Sequence, residues 1–260
     1  MTIHVFTFAS DEAKVKYLRD SEKLHTVNIT YIIKNTWEGY ITKIIETQKA
    51  IDTFPDNDIV AFIDAYDVII NGDHDELLEK FLNYNCDVLL SAELNCYPPF
   101  LKGEMDKIES GNIKNKYINS GGYMGYVKDI KKIFQWKSLM DITNICRNGS
   151  DQAYFIKYFI ENHNNVNIKL DVNSNIFQCM HLISWKEIDF RNGRVFNNIL
   201  KTYPVFVHFN GGTWQTNERT NIMPTFIEKI QTSINNPDNI YNLDNYNQII
   251  TSTCYPHSQL

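Results

Sequence analysis

The chain has 260 residues, 43% of them hydrophobic and 22% charged, with a formal net charge of -6. This is an ordinary composition for a globular protein able to bury a sizeable core, and the acidic balance without a local basic cluster excludes an electrostatic case for nucleic acid or an anionic membrane surface. Five scattered cysteines without a C-x-x-C pair argue against a zinc knuckle and a disulfide framework. No apolar run is long enough to span a bilayer. Met1-Thr-Ile-His-Val-Phe6 carries no signal-peptide pattern, so a cytoplasmic location is expected.

In chain order, Ile3 to Ala9 reads as a first strand. Ser10-Asp-Glu12 supplies a capping hydroxyl and first-turn acids, and Ala13, Tyr17, Leu18, Ser21 and Leu24 share one helical face. Val27 to Ile33 is a second strand. Ile41, Ile44, Ile45, Gln48 and Ile51 mark a second helix that stops near Pro55. A third strand starts at Ile59 and runs straight into Asp64, with Asp67 three positions on and a further apolar run to Ile70. Asp73 or Asp75 caps a third helix bearing Leu77, Leu78, Phe81 and Leu82, and Asp87 to Ala92 is a fourth strand. Strands alternating with helices predict one α/β domain, a mostly parallel sheet covered on both faces that binds ligands beyond the carboxyl ends of its strands.

The second half is less regular. Pro98-Pro99 breaks the chain, and a polar stretch from Lys102 to Lys116 reads as a loop with a short helix. Ser150-Asp-Gln152 opens a helix through Phe159, Asn167 to Leu170 and Val205 to Phe209 are strands, and Met223 to Ile230 is a last helix. The tail from about residue 235 is rich in Asn and Tyr, with weak periodicity.

Chemistry concentrates at a few positions. A buried carboxylate needs a partner or a metal, so Asp64 and Asp67 at a strand end either share a divalent cation or form a solvated turn. His208 ends an apolar run before Asn210-Gly-Gly212. It is either structural or, if its strand lies beside the Ile59 strand, a third ligand, and that mixed set suits Mn²⁺. Gly121-Gly-Tyr-Met-Gly125 lacks dinucleotide-fingerprint spacing; it is a glycine bend or a close approach to a ligand. Asp151 is a first-turn helix acid or a catalytic carboxylate, Lys43 a surface cation by default, and Trp37 and Tyr66 core or stacking residues.

Phe62-Ile-Asp-Ala-Tyr-Asp-Val-Ile69, Leu90-Ser-Ala-Glu93, Ile118-Asn-Ser-Gly-Gly-Tyr-Met-Gly125, Ser150-Asp-Gln152, Ile176-Phe-Gln178 and Val207-His-Phe-Asn-Gly211 occur in an order that resembles one known family. It is the glycosyltransferase domain of the procollagen lysyl hydroxylases and its stand-alone relatives, some of them viral; the likeness runs from about Ile3 to Ile230. The resemblance implies a GT-A fold, a UDP-sugar donor such as UDP-glucose or UDP-galactose, Mn²⁺, and a glycan or a hydroxylysine-containing protein as acceptor. It makes Asp64, Asp67 and His208 the metal ligands. Thr7, Trp37 and Tyr66 would contact uridine and Lys43 the diphosphate, while Asn119 and Asp151 face the sugar and acceptor as the catalytic pair. Ser91, Gly121, Gly122, Asn210 and Gly211 lie in the matching blocks and are assigned to the donor site.

The chain also departs from the family. The acidic run before the helix shrinks to Asn148-Gly-Ser-Asp151, the glycine after the metal-binding histidine is Phe209, a basic residue near the phosphates is Trp214, and an acceptor-side tryptophan is Tyr97. The length leaves no room for an iron- and oxoglutarate-dependent hydroxylase domain, so hydroxylation is not expected. A UDP-sugar-binding module without turnover, or a metal-dependent phosphohydrolase, are the rival classes.

Overall fold

Strands with one apolar row on each side can only be covered by packing both faces, and the first half of the chain does so. In the computed structural model, which describes residues 1–108, 113–211 and 219–243, β1 (Ile3–Ala9), α1 (Lys16–Glu22), β2 (Ile29–Ile33), α2 (Tyr40–Ile51) and β3 (Ile59–Ile63) alternate. β1 lies between β2 and β3 and is parallel to both. All five residues of β3 are fully buried. Burying each large side chain is worth about 1.5–3 kcal/mol, which anchors the strand end and with it Asp64. Phe6 and Phe8 of β1 belong to the core on one face, Ile3 and Val5 to the core on the other.

The chain then leaves the sheet. β4 (Val68–Ile70) starts a second, smaller sheet, followed by α3 (His74–Tyr84), β5 (Val88–Glu93) and α4 (Lys102–Ile108). Asp73 is the residue before α3, and its carboxylate accepts from Thr26 N and Oγ1. β6 (Tyr117–Tyr126) inserts between β3 and β5, antiparallel to both. With this one reversed strand the sheet is mostly parallel, as expected. The order is β2-β1-β3-β6-β5-β7, mostly parallel with one reversed strand. At Leu90/Ser91 the β5–β6 register shifts, so Ser91 pairs with Asn119 and Leu90 with Tyr123. The intervening Ser120-Gly121-Gly122 bulges away from β5 toward β3. There Asp64 N donates to Gly121 O at 2.9 Å.

α5 (Val127–Phe134), α6 (Leu139–Asn148) and α7 (Asp151–Asn162) cover one face, and β7 (Ile168–Asp171) closes the edge beside β5. α7 starts where expected, with Ser150 Oγ accepting from Gln152 N. After β8 (Phe177–Cys179), β9 (Ile188–Arg191) and β10 (Arg194–Asn197), the chain returns as β11 (Phe206–His208). β11 lies between β4, to which it is antiparallel, and β8, to which it is parallel. The strand that ends in His208 therefore pairs with the continuation of the Ile59 segment, not with the Ile59 strand itself. α8 (Arg219–Asn235) packs on this side, and β12 (Tyr241–Asn242) extends β9. Among the described residues, no helix is long and apolar enough to cross a membrane.

Candidate active site

The site forms where the two sheets part. Asp64 follows the last residue of β3 in the large sheet, and Asp67 precedes β4 in the small one. Val68 is the register partner of His208 across β4 and β11, and Phe209 N donates to Asp67 O at 2.7 Å. A turn of four residues and one strand pairing thus bring a distant histidine onto the two aspartates. His208 Nε2 lies 3.3 Å from Asp67 Oδ1 and 3.7 Å from Asp64 Oδ2. One ligand atom from each of Asp64, Asp67 and His208 falls within 4.8 Å of the others.

Lys43 reaches the same point from α2. Its Nζ is 2.6 Å from Asp64 Oδ1 and 2.7 Å from Asp151 Oδ2, so one ammonium ties the D-x-x-D turn to the start of α7. Burial opposes its charge, but Asp151 and Asp64 raise its pKa above the ordinary value. Burial also raises the Asp64 carboxyl, outweighing the pull of Lys43 and His208. The His208 imidazole is buried, which disfavours its charge, yet Asp67 beside it and the Cys179 thiol hold its pKa well above the usual range. Three carboxylates crowd one ammonium and one imidazole, an arrangement with a place for a further cation.

The glycines of β6 are there for space. A Cβ on Gly121 would sit 2.1 Å from His208 Cε1 and 2.7 Å from Asp64 Oδ2, and one on Gly122 would sit 2.6 Å from Phe177. Gly121 thus allows the histidine and the aspartate to meet, and Gly122 lets β8 pack against the bulge. Gly211, at φ +74°, lies against His181.

A cleft of about 1120 Å³ opens over this cluster. Lys43, Asp64, Asp67, Asn119, Gly121, Asp151, His208, Asn210 and Gly211 line it, together with Trp37, Tyr66 and Tyr97. The half-exposed Trp37 lies 6.2 Å from Phe8 and 5.9 Å from Tyr40, ring centre to ring centre. The Tyr66 hydroxyl receives Ser10 N at 2.6 Å and Asp11 N at 2.8 Å. Thr7 and Ser91 are not brought to the cleft wall. Both are buried; Thr7 Oγ1 donates to Ile63 O at 2.7 Å, and Ser91 Oγ pairs with Cys179 Sγ at 3.2 Å. Alternation explains both, since each strand sends only every second side chain to a given face. Phe209, next to His208, likewise turns away and packs edge-on to Phe226 at 4.8 Å. Trp214 lies outside the described residues.

Glu93 is the site residue that the sequence reading left without a role. At the end of β5, 4% exposed, it lines the cleft and accepts from Asn119 Nδ2 at 2.9 Å, Gln152 Nε2 at 3.0 Å and Asn210 Nδ2 at 2.9 Å. Burial raises its pKa even so. The available signal was a charged residue closing the otherwise uncharged run Val88-Leu-Leu-Ser-Ala-Glu93, as Asp64 closes β3.

A mixed sheet with a metal-type Asp-Asp-His cluster beyond its central strand defines a protein with the fold of GT-A glycosyltransferases. The chain belongs to the PLOD GT domain family, whose model matches residues 2–235. It is 34% identical over 174 residues to procollagen-lysine,2-oxoglutarate 5-dioxygenase 1 of Gallus gallus, covering 64% of this chain and 22% of that protein. It is 28% identical over 234 residues to the multifunctional procollagen lysine hydroxylase and glycosyltransferase LH3 of Homo sapiens, covering 83% of this chain and 30% of that protein. The chain thus spans less than a third of the length of either relative. Among solved structures, a glycosyltransferase involved in the glycosylation of the major capsid of PBCV-1 shares the fold, with a TM-score of 0.51 at 12% identity, covering 86% of this chain and all of that one.

Proposed function

We propose that the protein is a Mn²⁺-dependent hexosyltransferase that moves a hexose from a UDP-sugar to a hydroxyl group of a glycan or of a hydroxylysine-containing protein. The observation that carries this reading is the convergence of Asp64, Asp67 and His208, with ligand atoms within 4.8 Å, on a cleft that also holds Asp151 and Asn119. Two carboxylate oxygens and an imidazole nitrogen suit Mn²⁺, and the missing side chain at Gly121 leaves these groups their room. An ion held by these three residues would stabilise, as a Lewis acid, the charge that builds on the leaving diphosphate.

The chain's own groups do the rest. Trp37 and Tyr66 offer faces to the uridine. Lys43 bridges Asp64 and Asp151 and adds positive charge beneath the diphosphate. Asp151 faces the sugar, where a fixed carboxylate stabilises the positive charge that grows at the anomeric carbon as the bond to UDP breaks. Glu93 holds the amides of Asn119, Gln152 and Asn210, so that Asn119 meets the sugar in one orientation.

The test is a screen of UDP-sugars for donor hydrolysis, with calorimetry of UDP binding. Hydrolysis of a UDP-hexose in Mn²⁺, and UDP binding that weakens sharply in EDTA, are expected. Equal UDP affinity in EDTA overturns the metal reading. Tight UDP binding without turnover of any donor or acceptor favours a binding module, and phosphate release from simple phosphoesters favours a phosphohydrolase.

A further inference from the structure

Asp64 divides its two carboxylate oxygens between different partners. Oδ1 is ion-paired with Lys43 Nζ at 2.6 Å, while Oδ2 faces His208 Nε2 at 3.7 Å. The ammonium thus takes one oxygen and leaves the other turned to the Asp64–Asp67–His208 cluster. The same Nζ lies 2.7 Å from Asp151 Oδ2, a buried atom with no hydrogen-bond partner among the described residues, so this ion pair is what answers its charge. Nζ is also 5.0 Å from the centre of the Phe62 ring, which stacks on Tyr123 at 5.0 Å and 12°. The Lys43 side chain is only 12% exposed, and its neighbours Ile44 and Thr47 on α2 are buried. The cation is built into the floor of the cleft rather than reaching in from solvent.

We propose that Lys43 is an internal counter-cation of the metal site: a positioning residue that holds Asp64 and Asp151 in place with no ion bound and, by its own charge, keeps the ion loosely held. This inference rests on the Asp64–Asp67–His208 metal reading. Two opposing effects decide its sign. Orientation of a ligand by a neighbouring group is worth about 10–100-fold in metal affinity. The groups that usually do this are carboxylates and carbonyls, which make the ligand more basic; an ammonium on a ligating carboxylate does the reverse. At an effective dielectric of about 20, a unit positive charge about 5 Å from the ion weakens binding by about a hundredfold or more. Asp151, stripped of the ammonium, would add its own negative charge to the pull on the ion. Charge therefore outweighs orientation. Without the ammonium, Asp64, Asp67 and Asp151 repel one another. With it, the site stays assembled while its ion remains exchangeable.

The experiment measures Mn²⁺ affinity by the electron paramagnetic resonance signal of the free ion, with no donor present, and melting temperature with and without the ion. Lys43→Met, which keeps the length and loses the charge, is expected to bind Mn²⁺ about tenfold or more tightly than wild type. Its melting temperature should fall in the absence of Mn²⁺ and recover toward wild type at saturating Mn²⁺, because the ion then supplies the missing charge. Lys43→Arg, which keeps the charge, should stay near wild-type affinity. Asp151→Asn is the converse: the ammonium keeps only Asp64 as a carboxylate partner, and Mn²⁺ binding should weaken severalfold. Affinity in Lys43→Met equal to or weaker than wild type overturns the proposal, as does tightening in Lys43→Arg as large as in Lys43→Met. A melting loss that Mn²⁺ does not recover makes Lys43 a structural residue and overturns it too. If Lys43→Met does not fold, Asp151→Asn decides, and unchanged or tighter binding there overturns the proposal. If neither wild type nor Lys43→Met binds Mn²⁺, the metal reading itself fails, which is a different result from wild-type binding that Lys43→Met leaves unchanged.

Discussion

Two carboxylates stand at the carboxyl ends of strands, Asp171 on β7 and Asp64 just past β3, and their surroundings are opposite. Asp171 accepts from the backbone N–H of Asn175 at 2.8 Å, Ile176 at 2.8 Å and Phe177 at 2.7 Å, and from the Tyr84 hydroxyl. It is a joint that turns β7 into β8 with its acceptor capacity filled. Asp64 has one ammonium and, around it, Asp67, Asp151 and His208. Full satisfaction fixes a fold; like charges held together without enough donors store a demand for a cation. Both arrangements begin from the same residue type at the same place on a strand.

If that contrast is right, the two positions break in different ways. The largest expected effects are on turnover. Asp67→Ala and His208→Ala should each lower Mn²⁺-dependent donor hydrolysis by about a thousandfold, the equivalent of several kcal/mol of charge stabilisation. The metal-free melting temperature should hold or, for Asp67→Ala, rise slightly as repulsion with Asp64 is relieved. A large loss of apo stability in either variant would make them structural residues like Asp171. The mirror experiment is Asp171→Ala, which strands three amides and a phenol and should cost about 3–5 kcal/mol in urea denaturation. The protein that remains folded should keep the melting shift produced by Mn²⁺ with UDP.

Asp151→Asn comes next. Sugar transfer should fall about 10²–10³-fold, within the range of removing a positioned carboxylate, while calorimetry shows UDP binding in Mn²⁺ retained. Wild-type rates would reduce Asp151 to a helix-start acid. Gly121→Ala should cost about 1–3 kcal/mol of stability through overpacking and remove the Mn²⁺–UDP melting shift, since the methyl lands on His208 and Asp64. The smallest effect concerns Glu93, which lies between the two extremes: three amides satisfy it, yet burial still raises its pKa. A carboxyl whose folded pKa exceeds its unfolded value stabilises the fold fully below the unfolded pKa, and that contribution is lost as pH rises through the folded one. Glu93→Gln should therefore gain stability relative to wild type as pH rises from about 4.5 to neutrality, read from urea midpoints across that range. A difference that runs the other way would mean that the three amides outweigh burial.

Much of this was legible in the residues. The unbroken run Ile59 to Ile63 announced a strand buried on both faces, and carboxylates at its end pointed to a site. The apolar spacing of Ile44 and Ile51 on α2, and of Leu77 and Phe81 on α3, marked helices whose buried faces the structure reproduces. The reversed strand β6 was not legible. Nine of its ten residues are buried, so no alternation betrays a strand, and three glycines read as a bend. The pairing of β11 with β4 was hidden because both strands are three residues long, too short for any period to register. Thr7 and Ser91 face inward because of strand phase, which a motif match does not report. Glu93 went unassigned because its partners, Asn119, Gln152 and Asn210, come from three distant segments and only the fold assembles them.

The phenol of Tyr66 has a consequence for timing. It sits inside the D-x-x-D turn, yet its oxygen is the acceptor for the Ser10 and Asp11 amides at the corner after β1. Those two amide protons are shielded from solvent only while the turn keeps its shape. Any event that stiffens or loosens the turn is written into their rate of exchange with deuterium. The protein therefore carries a clock for its own site in a corner far away along the chain, readable by mass spectrometry without a label and before any acceptor has been found.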